Sequence, residues 1–253
     1  MSLGRNGYVV PYDSEVRKEL TVRAVENALG LRPPPFKVFR ETSKHLCVPR
    51  FYAEEKFGPA TKDIRPEPVR VHIPFSGSLR DYQTEALSKY PGHGVLSLDT
   101  GLGKTTCGLA VAARLGVRTM IIVHKEFLAN QWCERIAQYC PGSTVGRVQQ
   151  DRCELDHPFV IAMIQTLCMR SHPTGTFDTI GLVIVDEAHH VGAPAFSQAM
   201  FTMCPKYTLG LTATPDRKDG LTRLLYWFLG PCFFSLHRES SKNVEVRRVA
   251  FMA

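Results

Sequence analysis

An α/β fold with a parallel sheet covered by helices on both faces is the architecture this chain predicts, and three features carry it. After residue 77, wholly apolar strand-like runs alternate with amphipathic helical runs. A glycine-rich turn, Leu98-Asp99-Thr100-Gly101-Leu102-Gly103-Lys104-Thr105, joins one such strand to one such helix. About eighty residues further on, the apolar run Ile180 to Val185 ends in Asp186-Glu187.

Residues 1–76 have a different texture. They are rich in proline (Pro33-Pro34-Pro35, Pro49, Pro59, Pro66, Pro68, Pro74) and carry short β-like runs at Phe36–Arg40 and Leu46–Val48, which predicts a small β-rich domain. The triple proline reads as a stiff connector. From Gly77 the pattern becomes regular. Leu79–Lys89 reads as a helix whose apolar face is Leu79, Tyr82, Ala86 and Leu87. Strand Gly94–Leu98 leads into helix Lys104–Leu115, closed by Gly116. Thr119–Val123 is a strand, and Glu126–Tyr139 a helix stopped by Pro141. Phe159–Met163, Gly181–Val185 and Tyr207–Leu211 follow as strands, Pro194–Met203 and Gly220–Phe228 as helices, and Val244–Phe251 as a last strand. The expected division is an accessory domain at 1–76, the large domain at 77–239 and a following segment at 240–253.

Composition narrows the class. The 253 residues suffice for one large domain and a smaller one. There is no apolar run near the ~18 residues a membrane span needs, and no charged-then-apolar leader, so a soluble intracellular protein without a membrane partner is expected. The eight cysteines (47, 107, 133, 140, 153, 168, 204, 232) form no C-x-x-C pair and lie mostly in apolar segments, which favours reduced, buried thiols over disulfides or zinc. His189-His190 has no cysteine ligand nearby and is not read as a metal site. The net charge is +7; residues 1–76 carry 13 Lys/Arg against 9 Asp/Glu, and the remainder 18 against 15. That balance permits nucleic-acid binding without demanding it.

The two polar landmarks fit together chemically. Gly101 and Gly103 let successive backbone N–H groups point inward at phosphate oxygens, helped by the positive end of the helix that follows. Lys104 then reaches the β- and γ-phosphates and the Thr105 hydroxyl ligates Mg²⁺. Asp186 delivers a second oxygen ligand to the metal, and Glu187 orients and deprotonates the attacking water. Taken singly, the first is a glycine-rich turn with an incidental lysine, its strict pattern broken by Leu98 where glycine is usual, and the second is a helix cap. Both in order, each after an apolar strand, read as an ATP and Mg²⁺ site.

Four further segments choose among ATPases: Leu79-Arg80-Asp81-Tyr82-Gln83; His124-Lys125-Glu126-Phe127-Leu128 with Gln131-Trp132; Gln165-Thr166-Leu167 after strand Ile161–Ile164; and Thr212-Ala213-Thr214-Pro215 after Leu211. With the nucleotide motifs, this series resembles the first RecA-like motor domain of superfamily 2 helicases, over roughly residues 77–235. The resemblance implies that Gln83 reads the adenine edge, flanked by Arg80 and Tyr82, and that Thr100, Leu102 and Thr106 complete the phosphate loop with the residues above. It implies that His189 joins Lys104, Asp186 and Glu187 in catalysis, linking them to Thr212 and Thr214, which report nucleotide state. It implies that His124, Lys125, Gln131, Gln165 and Thr166 grip the backbone of a nucleic-acid strand. Trp132, in an apolar helix, reads as a packing residue rather than a base stacker.

The run Gly210–Thr222, with Asp186-Glu187-Ala188-His189-His190 and His124-Lys125-Glu126-Phe127, is similar to the helicases of large nucleocytoplasmic DNA viruses, relatives of poxvirus transcript-release and eukaryotic transcription and repair helicases. So are Glu19-Leu20-Thr21-Val22, Pro35-Phe36-Lys37-Val38 and Val48-Pro49-Arg50-Phe51-Tyr52 in the leader. DEAH-box RNA helicases carry Ser-Ala-Thr where this chain has Thr212-Ala213-Thr214. The implied function is an ATP-dependent DNA helicase or translocase in viral transcription or genome maintenance, monomeric, acting on DNA rather than RNA in host cytoplasm or virion. The alternatives are the motor of a restriction-type nuclease and a nucleic-acid-binding module that does not hydrolyse. The family closes on ATP with a second RecA-like domain that supplies arginines; Arg217 and Arg223 lie too near Thr214 for that task, and Val244–Val249 falls where that domain begins. The expectation is an N-terminal half that hydrolyses ATP slowly or not at all alone. The basic, aromatic stretch at Arg50-Phe51-Tyr52 and Lys56-Phe57 suits a duplex-binding accessory domain as well as one that only packs on the motor.

Overall fold

The structure, a computed structural model, describes residues 1–25, 33–187, 193–214 and 220–237. The N-terminal layer runs β1 (Ser2–Gly4), β2 (Gly7–Pro11), α1 (Ser14–Glu19), β3 (Thr21–Val22), β4 (Phe36–Lys37), β5 (Arg40–Glu41), β6 (His45–Val48), α2 (Arg50–Phe57) and β7 (Lys62–Asp63). Helix α1 starts where the Asp13 carboxylate accepts the N–H groups of Glu15 and Val16. Its sheet has the order β5-β6-β2-β1-β7, and β3 pairs with β4 apart from it.

The large sheet follows: α3 (Asp81–Ser88), β8 (Val95–Leu98), α4 (Lys104–Leu115), β9 (Thr119–Val123), α5 (Glu126–Tyr139), β10 (Val145–Gln149), β11 (Arg152–Cys153), β12 (Phe159–Met163), α6 (Ile164–Met169), β13 (Leu182–Asp186), α7 (Ala193–Met200), β14 (Tyr207–Thr212), α8 (Thr222–Leu229) and β15 (Cys232–Leu236). Strand order is β11-β10-β12-β9-β13-β14-β8-β15, parallel throughout except where β11 turns back on β10. Helices α4 and α5 and strands β9 and β12 fall on the residues the sequence predicts. Helices α1, α2 and α6 and strands β10, β11 and β15 were not anticipated. Helix α7 ends at Met200, short of the expected Met203. The expected strand Val244–Phe251 and segment 240–253 lie outside the described residues.

Apolar side chains of the central strands alternate between two cores, as the pleat requires. Met120, Ile122, Val160, Ala162, Val183 and Val185 face α6, α7, α8 and the N-terminal layer. Ile121, Val123, Phe159, Ile161, Leu182 and Ile184 face α3, α4 and α5. By the same alternation Asp186, next after Leu182 and Ile184, falls on the α4/α5 side.

The N-terminal layer is sewn to the first of these faces. Tyr52 of α2 meets Trp227 of α8 edge to face at 5.1 Å, Asn6 Nδ2 donates to Phe201 O at 2.8 Å and Arg65 donates to Pro205 O at 2.7 Å. Of the two expectations for residues 50–57 this fits packing on the motor: the stretch is a helix, and Phe51 and Tyr52 are buried. Residues 69–76 run along the large sheet, with Arg118 N donating to Val69 O and Ser76 N donating to Tyr139 O. Cysteine burial is also less uniform than expected. Cys107 and Cys140 are buried, and burial pushes their thiols up to about 12 and about 11, but Cys153 and Cys232 are exposed. Among the described residues no helix is long and apolar enough to cross a membrane.

One ion pair in the seam gives a pH-dependent expectation. Arg65, whose side chain is only 6% exposed, grips both oxygens of Asp63 at 3.0 and 2.8 Å, and the guanidinium holds that carboxyl at about 2, below its usual 3.8. A depressed carboxyl contributes stability above its unfolded value and loses it as pH falls through the folded one. Asp63→Asn should therefore cost about 1–3 kcal/mol at pH 7, allowing for solvent screening of the half-exposed carboxylate. Thermal melts should show the gap between variant and wild type closing as pH drops from 4 towards 2. A gap independent of pH would contradict this account.

Candidate nucleotide and nucleic-acid site

The phosphate loop is shaped by two left-handed glycines, Gly101 (φ 83°) and Gly103 (φ 80°), and Gly103 is the N-cap of α4. A Cβ on Gly103 would collide with the Gln83 amide, so the residue is glycine for space as well as for φ. Lys104 is almost buried; its Nζ donates to Leu98 O at 3.1 Å and lies 3.7 Å from Glu187 Oε1. Thr105 and Thr106 follow on the first turn of α4, half-buried beside a cleft of about 430 Å³. Thr100, Arg80, Gln83, Asp186 and Glu187 also line that cleft, so the two halves of the expected site meet.

Asp186 ends β13, and its carboxylate is fixed by two donors. Trp132 Nε1 donates to Oδ2 at 2.8 Å, and Glu187 N donates to Oδ1 at 3.0 Å. Burial, with help from the Glu187 carboxylate, raises the Asp186 pKa above the usual range, while the indole bond opposes the rise. Glu187 itself sits at φ 48°, a left-handed conformation that strains a non-glycine residue and turns the chain sharply out of the strand. Thr105 and Asp186 together offer hard oxygen ligands of the kind Mg²⁺ takes beside nucleotide phosphates, so the donor set fits that metal.

Gln83, expected to read a base edge, is bonded within the protein. Its Oε1 accepts the Arg80 N–H at 2.9 Å, satisfying the N-cap donor of α3, and its Nε2 donates to Leu102 O at 3.0 Å. Tyr82 Oη donates to the same carbonyl at 3.1 Å, and Arg80 donates to Tyr82 Oη at 3.0 Å. The segment 80–83 is thus strapped to the phosphate loop, and one amide N–H and one lone pair of Gln83 remain for a base edge.

The residues expected to grip a strand divide. His124 and Lys125 leave β9 beside Gln165 on α6, whose Nε2 donates to His124 O at 3.0 Å, so these segments form one edge. Lys125 lies 5.8 Å from the ring of Phe127, which is 62% exposed. Thr166, by contrast, is buried, and its hydroxyl accepts Gln150 N at 3.1 Å. Gln131 lines the nucleotide cleft with Leu128, Arg135 and Tyr139, one stripe along α5, rather than joining the strand edge. Thr212 donates to Thr214 O at 2.7 Å and accepts Thr214 N, closing the turn after β14 on itself. His189 lies outside the described residues. Sequence reasoning missed the Trp132–Asp186 bond, the cleft-lining Arg135 and Tyr139, and His237, whose Nδ1 lies 2.8 Å from Asp99 Oδ1 just before the phosphate loop. The stripe at 128, 131, 135 and 139 was readable from helical spacing; the other contacts had no local signal.

Fold and site define a RecA-like P-loop motor domain of helicase superfamily 2. Residues 76–217 match the family described as type III restriction enzyme, res subunit, and the chain belongs to that family. It is 32% identical over 220 residues to a protein named as an ATP-dependent RNA helicase in Acanthamoeba polyphaga mimivirus, covering 83% of this chain and 42% of that one. It is 33% identical over 177 residues to the DNA 3'-5' translocase XPB2 of Sulfurisphaera tokodaii, covering 68% of this chain and 38% of the relative. The chain thus spans less than half the length of either relative. The crystal structure of the UvsW helicase from bacteriophage T4 shares the fold at 14% identity, with a TM-score of 0.62 over 92% of this chain and 99% of that one.

If the Gln83 strap shapes the phosphate loop, it should matter for a ligand with no base. Gln83→Ala is expected to weaken binding of tripolyphosphate as well as ATP, each by about five- to tenfold, the loss of one buried hydrogen-bonding pair. Calorimetric titration of both ligands checks this; an effect confined to ATP would leave base reading as the whole of the Gln83 role.

Proposed function

We propose that this chain is the ATP-binding half of a helicase or translocase that hydrolyses ATP with Mg²⁺ and moves on DNA rather than RNA. The observation that carries it is the convergence of the phosphate loop with Asp186-Glu187 in one cleft, Lys104 Nζ lying 3.7 Å from Glu187 Oε1. In this reading Lys104 and the loop N–H groups hold the β- and γ-phosphates, and Thr105 and Asp186 hold Mg²⁺, which neutralises charge on those phosphates. Glu187 accepts a proton from the attacking water. His189 links the site to Thr212 and Thr214, and residues of a second RecA-like domain complete it.

In this reading Lys125 and the exposed Phe127 beside it meet a phosphate and a base of one strand, and the edge around His124 and Gln165 supplies further backbone contacts. The preference for DNA is supported by the name of the archaeal relative, and the name of the mimiviral one makes RNA the competing substrate. Viral relatives support a role in viral transcription or genome maintenance, in host cytoplasm or virion.

ATP turnover, measured with and without single-stranded DNA, duplex DNA and RNA, tests the proposal. The chain is expected to bind MgATP with slow turnover, and a longer protein carrying the second domain to be stimulated by DNA more than by RNA. Lys104→Ala should abolish binding, and Glu187→Gln should retain binding and lose turnover. Stimulation by RNA alone would reverse the substrate assignment. Lys125→Ala should weaken nucleic-acid binding evenly across sequences and lower the salt slope by about one. A salt slope identical to wild type would remove Lys125 from the strand edge.

A further inference from the structure

Trp132 lies on α5 with 1% of its surface exposed, and its indole N–H ends on the Asp186 carboxylate. A buried indole needs some acceptor, but a backbone carbonyl would serve for packing alone. Here the acceptor is the one buried carboxylate of the nucleotide cleft. Its second oxygen is held from another direction by Glu187 N, so two donors on different elements fix the plane of the group. Gly108 of α4 leaves room for the ring, since a Cβ there would press on Trp132 Cη2 at 3.1 Å. The neighbouring stripe of α5 lines the nucleotide cleft, and the helix begins directly after His124-Lys125. The indole therefore joins the helix behind the strand edge to the carboxylate at the end of β13.

The geometry points to Trp132 as a positioning residue whose indole N–H holds Asp186 in the orientation that takes Mg²⁺ beside the nucleotide. This rests on the reading of Asp186 as a metal ligand. Partners that hydrogen-bond a metal ligand from behind set its orientation, and their loss typically weakens metal binding about 10–100-fold.

Binding of a fluorescent ADP analogue to the full chain, titrated with Mg²⁺, tests the idea without turnover. Trp132→Phe keeps the apolar bulk and removes the donor. It is expected to raise the Mg²⁺ concentration for half-maximal effect about tenfold or more, with nucleotide affinity in EDTA unchanged. An unchanged Mg²⁺ dependence in a folded variant would overturn the proposal. The unaltered protein gives an independent readout through its two indole N–H resonances, assigned with Trp227→Phe. The Trp132 resonance should move when Mg²⁺ is added to the ADP complex and not when ADP is added in EDTA. A Trp132 signal indifferent to Mg²⁺ while ADP saturates the site would sink it. ADP binding that Lys104→Ala leaves intact would instead overturn the nucleotide-site reading on which it stands.

Discussion

A carboxylate sealed between a strand end and two helices must find donors or give up its charge, and Asp186 organises its surroundings around that demand. Burial of an ionised carboxylate costs several kcal/mol. The bonds from Trp132 and Glu187 N each return about 1.5–3 kcal/mol, as hydrogen bonds to charged groups do. The Asp186 pKa is nevertheless raised, with burial as the largest cause, so the two bonds fall short of full compensation. A bound cation would close that gap, and Lys104 already contributes in the same direction. Gly108 in α4, the left-handed Glu187 and the inward face of α5 are all conditions for this one group to sit where it does.

Parallel register then brings the remaining segments to the same edge. Asp186 lies opposite Leu211, Val185 opposite Ile122, Met163 opposite Val123 and Thr212 opposite Ser97. The phosphate loop, His124-Lys125, Gln165-Thr166, Asp186-Glu187 and Thr212-Ala213-Thr214 therefore leave adjacent strands at nearly one level, though they are scattered through the sequence. A shift of one residue in β13 would carry Asp186 to the opposite face, into the core shared with the N-terminal layer.

The parts that could be read from the sequence share a property: their ends are chemically marked. Helix α4 begins after Gly103 and closes on Gly116, and α5 stops before Pro141, while β9 and β12 are buried on both faces and read as unbroken apolar runs. Strand β10 is half-exposed and carries Gly146 and Arg147, and β15 has a register shift between Cys232 and Phe234. Neither shows a clean periodicity. Helix α2 hides behind Pro49, which reads as a strand breaker and in fact starts the helix. In the candidate site, the meeting of Lys104-Thr105 with Asp186-Glu187 in one cleft was legible because each pair directly follows an apolar strand or its glycine turn. The Gln83–Leu102 and Trp132–Asp186 bonds cross 19 and 54 residues and depend on which atoms meet, which no local pattern encodes. Gln131, which the resemblance gave to the nucleic-acid strand, lines the nucleotide cleft, one position and so about 100° of helix away from the buried Trp132.

The place of the N-terminal layer limits how it can act on the motor. Among the described residues, those lining the nucleotide cleft all come from position 78 onward. The layer's contacts fall on α8 and the segments around Phe201 and Pro205, which lead into β14, and also on Asp178 before β13 and His93 before β8. Helix α8 follows the Thr212-Ala213-Thr214 turn, and its apolar side packs on β14 and β8 in the core that the layer shares. An influence of the layer on turnover would therefore travel through the support it gives to α8 and to strands β8, β13 and β14. A change in the support of α8 and β14 would alter the setting of the Thr-Ala-Thr turn, whereas the phosphate loop is also strapped from the other face by Gln83.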